Sequence, residues 1–94
     1  MRKHAKLYVT LLEMLDAAEA KSQKDVVVVN QRFSPAYNHV MPRNYEPNSP
    51  ADLYDKARNK LINSIDDNFS SRQKSAELRE AKKLIFKIKE LGYY

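Results

Sequence analysis

The 94-residue sequence contains no cysteine and no tryptophan, and its single glycine is Gly92. The absence of cysteine excludes disulfides, cysteine-ligated zinc and thiol nucleophiles. One glycine near the C-terminal end is too little for a glycine-rich phosphate-binding loop or for tight primed hairpin turns. No apolar run approaches the roughly 20 residues needed to span a bilayer. We therefore expect no membrane partner.

The first apolar run, residues 7–12, follows several basic residues and in this respect imitates a secretory signal. Glu13 and Asp16 interrupt it too early for a signal sequence. We therefore expect a cytoplasmic protein.

The chain has 17 Lys and Arg residues against 12 Asp and Glu residues, a formal charge of +5. Residues 51–94 carry ten of the cations and seven of the anions, so they hold three of the five net charges. Such a surplus favours approach to nucleic acid, to anionic lipid or to an acidic protein. The length predicts that residues 1–94 form a single small domain.

Apolar residues at helical spacing predict a first helix over residues 2–21. They repeat at intervals of four, three and four residues, which places them on one face. The members of this stripe are Leu7, Leu11, Met14 and Ala18. The stripe suits packing in a core, and it is also wide enough for contact with a second copy. A homodimer therefore stays open as an alternative.

Two further helices are predicted in the second half of the chain. Ser49 and Pro50 are typical of a helix start and predict a helix over residues 50–67. The strongest helix signal covers residues 71–91, where a capping-box pattern precedes the helix and Gly92 is the expected residue after its end. The apolar side of this helix consists of Leu78, Ala81, Leu84, Ile85, Ile88 and Leu91.

The middle of the chain has a different composition. Residues 26–29 are four consecutive valines, and β-branched side chains favour strands over helices. They predict a short strand, paired with residues 37–41 or with another subunit. All four prolines lie within residues 30–50, and residues 30–49 are predicted to form an irregular loop rich in proline and aromatic residues. The predicted fold is mainly α, with three helices and a short β-strand or hairpin between the first two.

The polar side of the predicted 71–91 helix carries the main candidate site. Arg72, Arg79 and Phe86 recur every seven residues, with Lys82, Lys83 and Lys89 beside them. Charges on an exposed face usually only keep a helix in solution, but an exposed Phe would bring no such benefit. The sequence leaves open whether Phe86 is exposed or covered by the 30–50 loop. Cations can neutralise phosphates, and an aromatic ring can stack on a base.

Two other groups of residues extend the candidate nucleic-acid site. Arg72, Gln73 and Lys74 begin a helix after a short corner, as in a helix-turn-helix, and Arg and Gln can contact guanine and adenine. The corner lacks glycine, and two adjacent acids there, Asp66 and Asp67, oppose that comparison. The predicted loop adds basic and aromatic side chains that could pair with phosphates and stack on bases. They are Arg32, Phe33, Arg43 and Tyr45.

Catalysis has little support. The two histidines, His4 and His39, have no ligand partner at helical spacing, and adjacent acids at a helix end are more often caps than acid–base groups. We expect no enzyme, no metal and no cofactor. The leading hypothesis is a small basic protein that binds DNA or RNA, or has a regulatory role, through a cationic helix face. The alternative is an adaptor or inhibitor that docks on an acidic protein through Phe86 or the 30–49 loop.

Overall fold

The computed structural model describes residues 3–41 and 46–94, which form four α-helices and no strand. The helices are α1 Ala5–Glu19, α2 Gln23–Val40, α3 Pro50–Asn63 and α4 Ser71–Glu90. Helix α1 packs mainly on α2, and α3 packs mainly on α4. Contacts of α1 with α3 and α4 join the α1–α2 pair and the α3–α4 pair into a bundle. The predicted three-helix fold with a strand or hairpin is therefore wrong.

The four valines lie in α2, and their burial explains why this segment is helical. Val26, Val29 and Phe33 are buried, whereas Val27 and Val28 are exposed. Positions i, i+3 and i+7 share one face of a helix, so the apolar side chains reach the core only in this conformation. Burial of that face outweighs the small helix penalty of β-branching. The predicted pairing with residues 37–41 is wrong because residues 37–40 belong to the same helix.

Helix α2 has a defined start and continues through the first half of the predicted 30–49 loop. Ser22 caps the helix, since its Oγ accepts a hydrogen bond from the Asp25 backbone N–H at 3.2 Å. Pro35 lies inside the helix and has no N–H to donate to the Gln31 carbonyl. Both residues are exposed, so the missing hydrogen bond lies on the solvent-facing side of the helix. The prediction of an irregular loop is wrong for residues 30–40, and residues 42–45 lie outside the described residues.

The three helices that were predicted are present, and each is shorter than expected. The predicted spans 2–21, 50–67 and 71–91 correspond to α1, α3 and α4. Ser49 Oγ accepts from the Asp52 N–H at 3.3 Å, which starts α3. The predicted capping box of Ser70 and Gln73 starts α4. Gly92 follows α4 with a φ of 72°, as a residue after a helix end requires.

Helix α1 ends in a Schellman motif that lacks the usual glycine. The Ser22 N–H donates to the Ala17 carbonyl and the Lys21 N–H donates to the Ala18 carbonyl, each at 3.0 Å. This arrangement requires a left-handed backbone at Lys21, whose φ is 57°. A residue with a Cβ is strained in that conformation. The α1–α2 turn therefore contains a strained lysine where glycine is most common.

One cluster of buried side chains joins all four helices. Tyr54 of α3 is fully buried at its centre, and its hydroxyl donates to the Tyr93 carbonyl at 2.7 Å. Burial raises the pKa of this hydroxyl, so it stays protonated as a donor. The Tyr94 ring packs on Tyr8 of α1 with a centroid distance of 5.2 Å. The last residues are thus tied to α3 and α1.

Candidate nucleic-acid interface

The outer face of α4 is the main candidate surface. Ala81, Ile85 and Ile88 are buried on the inner side of the helix. The helix carries seven Lys and Arg residues against three Asp and Glu residues, a surplus of four positive charges. Because apolar residues occupy the inner side, most of these cations extend outwards. Lys87 is exposed as well, but it donates to Asn48 beside α3. We define the α4 outer face by the aromatic residue and the other exposed cations, which are Arg72, Arg79, Lys82, Lys83, Phe86 and Lys89.

Phe86 is the most exposed large apolar side chain on this surface, with 61% of its area accessible. Side chains three and four positions apart on a helix are neighbours. Lys82 and Lys83 therefore flank the ring on one side, and Lys89 and Glu90 flank it on the other. The result is an accessible aromatic ring surrounded by three ammonium groups and one carboxylate.

The ion pairs of this face are weak enough to be exchanged for another anion. Lys82 reaches Glu19 of α1 at 3.1 Å, and Lys83 reaches Glu80 at 3.7 Å. Exposed pairs of this kind contribute about 0–1 kcal/mol. Among the described residues, Arg72, Arg79 and Lys89 form no ion pair. These cations are therefore available to a partner at little cost.

The first turn of α4 is occupied by contacts within the chain. The Gln73 side chain accepts from the Ser70 N–H at 2.9 Å in the capping box, and Lys74 donates to Asp67 at 2.9 Å. The Lys74 hydrogen bond is the main cause that lowers the pKa of the Asp67 carboxyl. Gln73 and Lys74 were predicted as base-contacting residues, and the structure gives them these intramolecular partners.

Helices α3 and α4 run antiparallel along their lengths. Lys60, near the end of α3, binds Glu77, near the start of α4, at 2.8 Å. Lys87, near the end of α4, donates to Asn48, just before α3, at 3.1 Å. A helix-turn-helix instead crosses its two helices at roughly 90–120°. We therefore base no proposal on that comparison.

No family model, curated protein or solved structure matches this chain. Function must therefore be inferred from its own side chains.

The two described residues that were predicted from the middle of the chain, Phe33 and Arg32, do not join the α4 outer face. Phe33 is fully buried below the Arg58 guanidinium, whose carbon lies 5.8 Å from the ring centroid. Arg32 is exposed on α2 and pairs with Glu13. Within the described residues, α2 does not pack on α4. Arg43 and Tyr45 lie outside the residues that the structure describes.

The structure also brings together basic residues that the sequence analysis did not group with one another. Arg32 and His39 share one face of α2, seven residues apart. They line a groove with Lys6 of α1 and with Lys3, which lies just before that helix. The spacing would have indicated this face if the segment had been recognised as a helix. Across residues 3–41 and 46–94, no group of three or more His, Asp and Glu side chains is placed to hold a metal ion. None of the helices in those ranges is long and apolar enough to cross a membrane.

Proposed function

We propose that this protein binds nucleic acid through the α4 outer face. The observation that carries the proposal is the exposure of Phe86 among Lys82, Lys83 and Lys89. Burying a Phe side chain is worth about 1.5–3 kcal/mol, and this chain leaves most of the ring in water. Stacking of an aromatic ring on a base contributes about 1–3 kcal/mol. Stacking of the Phe86 ring on a base is therefore expected to contribute substantially to the free energy of binding.

The cations around the ring supply the second part of the interaction. Arg72 and Lys89 are 17 residues apart, which at about 1.5 Å per residue places them roughly 25 Å apart along the helix. A nucleic-acid strand along this face can meet all five cations in turn. Phosphate neutralisation releases counterions, so binding weakens as salt rises. If five phosphates are contacted on a single strand, the slope of log K against log salt is about −3.5, at roughly −0.7 per phosphate.

Single-stranded DNA or RNA suits this surface better than a duplex. A Phe ring can stack only on a base whose own face is open, and paired bases in a duplex are stacked on one another. The ring is also centred among ammonium groups, so a base on Phe86 keeps its flanking phosphates close to Lys82 and Lys89. We expect the function to be non-enzymatic, with a binding or regulatory role.

The test is fluorescence anisotropy with labelled single- and double-stranded DNA and RNA over a range of salt concentrations. Phe86→Leu keeps an apolar side chain but removes the ring, and we expect about a tenfold loss with an unchanged salt slope. A triple variant with Arg72, Arg79 and Lys83 changed to Gln should bind weakly and show a shallower slope. Lys24→Gln on α2 removes an exposed cation from outside the face and is the matched control.

Three results would count against the proposal. They are absence of binding at low salt, equal loss in the Lys24→Gln control, and full binding by the triple variant. The rival function is an adaptor or inhibitor that inserts Phe86 into a pocket of an acidic protein, since exposed aromatic residues anchor interfaces. That function would be lost in Phe86→Ala and largely retained in the triple variant. Because the nucleic-acid proposal requires the triple variant to bind weakly, that variant separates the two functions.

A further inference from the structure

A groove of about 480 Å³ lies between the N-terminal half of α1 and the C-terminal half of α2. Its size is within the usual range of small-molecule sites, roughly 300–1,000 Å³. Its lining contains three Lys and Arg residues and two histidines, and none of its described lining residues is acidic. The charged and titratable members are Lys3, His4, Lys6, Arg32 and His39.

The floor of this groove is apolar. Leu7 is buried in the core, and Ala36 and Val40 are half-buried and pack against it. The Thr10 hydroxyl donates to the Lys6 carbonyl at 2.9 Å, so its proton is already engaged. The strong donors left for a ligand are therefore the cationic and imidazole groups at the rim.

The basic groove lies next to a second groove that is mainly acidic. Arg32 pairs with Glu13 across α1 and α2. Beyond this pair the same two helices form a second groove, which contains Glu13, Asp16 and Asp25. The Arg32–Glu13 pair therefore separates a basic half from an acidic half. An anion is attracted to the first half and repelled from the second.

The pKa of His4 is set mainly by burial and to a smaller extent by Lys3. Burial, and in second place the Lys3 ammonium, hold the pKa of His4 below its ordinary value. The Lys3 ammonium thus disfavours a second positive charge on the neighbouring His4 imidazole. The same field stabilises a negative group placed between the rim residues.

We propose that this groove binds an organic anion, a small molecule that joins a carboxylate or phosphate head to a short apolar body. The head would sit among Lys3, Lys6 and His39, and the body would lie on Ala36 and Val40. The site is separate from the α4 outer face because none of the described residues that line the groove belongs to α4. The two proposals can therefore fail independently.

Two-dimensional ¹H–¹⁵N NMR of the full chain tests the site with four probes of equal chain length. Octanoate and octyl phosphate carry the two candidate heads, while octanol and octyltrimethylammonium are the neutral and cationic controls. All four are used below the concentrations at which they form micelles. We expect saturable shifts at the amides of Leu7, Ala36 and Val40 with one or both anions, and weaker or no shifts with the controls. The relative affinities of the two anions identify the preferred head.

A double variant, Lys3→Gln with Lys6→Gln, tests the role of charge. Both side chains are exposed, so the fold should survive, and the unperturbed amide spectrum checks this directly. We expect about a five- to tenfold loss of anion affinity, the sum of two partly screened charge interactions. Lys24→Gln, which lies on α2 outside the groove, should bind as the original chain does. Equal shifts with octanol, shifts confined to α4, or full affinity in the double variant would overturn the proposal.

Discussion

The four consecutive valines of α2 offer a sharp test of the fold, because four chemically identical truncations have different expected costs. Val26 and Val29 are 1% and 7% exposed, whereas Val27 and Val28 are 53% and 48% exposed. We expect Val26→Ala and Val29→Ala to lower the free energy of unfolding clearly. The same change at Val27 or Val28 should have almost no effect. The reason is that only two of the four side chains face the core.

The magnitudes follow from the area that each side chain buries. Truncation of a fully buried valine removes two methyl groups, which cost about 0.8 kcal/mol each in transfer, and the cavity adds to this. Alanine recovers about 0.5 kcal/mol through its better helix propensity. The net loss at Val26 and Val29 is about 1–2.5 kcal/mol. At the half-exposed positions the transfer loss is roughly halved and the propensity gain nearly cancels it, which leaves a change within about 0.5 kcal/mol of zero.

Thermal and urea unfolding of the four single variants, followed by circular dichroism, measures these differences. A loss of 1 kcal/mol lowers Tm by about 4–8 °C in a domain of this size. Equal losses at all four positions would refute the helix and indicate a strand buried on both faces. Losses that alternate, with positions 26 and 28 differing from 27 and 29, would indicate a half-buried strand.

Two further predictions concern a strained turn and an acid-sensitive carboxylate. Lys21→Gly should raise the free energy of unfolding by about 0.5–1 kcal/mol, because glycine adopts the left-handed conformation without strain. Thermal unfolding measures this difference. If Lys21→Gly were no more stable than Lys21→Ala, the backbone at Lys21 would not be strained. The hydrogen bond from the Asn48 N–H to Asp52, at 2.8 Å, together with the Lys56 ammonium, lowers the pKa of the Asp52 carboxyl below 3.8 despite its burial. As the pH falls, Asp52 therefore binds a proton more readily in the unfolded chain than in the folded one. The free energy of unfolding should decrease as the pH drops below about 5 and through the folded pKa. Urea unfolding between pH 7 and pH 2.5 should show a shallower fall in Asp52→Asn, and an equally steep fall would argue against this assignment.

Helix ends were predictable wherever local chemistry determines them. Ser49, Ser70 and Gly92 act within a few residues of their own position, through a side chain or a backbone conformation that the sequence specifies. The amphipathic pattern of α4 was also sufficient, because one side of that helix is apolar from Leu78 onwards. In these segments local preference and tertiary packing agree.

Helix α2 was not predicted because local preference and packing disagree there. The valine run favours a strand, and Pro35 suggests a break. Tertiary burial of Val26, Val29 and Phe33 decides the conformation, and that burial depends on helices distant in sequence. A signal was nevertheless present, since Ser22 followed by Asp25 is a helix-start pattern and the buried residues have helical spacing.

The candidate site was likewise predictable only where a single helix determines it. The α4 outer face could be drawn from the sequence because a single helix supplies all of it. The exposure of Phe86 could not, because it depends on which neighbours cover the helix. The groove between α1 and α2 was missed because it needs two elements, one of which was assigned to the wrong class.

The pairing of neighbouring helices has a consequence for how the chain folds. Helix α3 packs most extensively on α4, and α1 packs next most extensively on α2, so most native contacts join segments that are close in sequence. Chains with such local contacts lose little entropy in closing loops and fold in microseconds to milliseconds. The fewer contacts between the α1–α2 pair and the α3–α4 pair must then form when these two helix pairs dock. Because Tyr54 of α3 bonds to Tyr93, the chain end joins the α3–α4 unit, and the Tyr94 ring contacts Tyr8 only once α1 has docked.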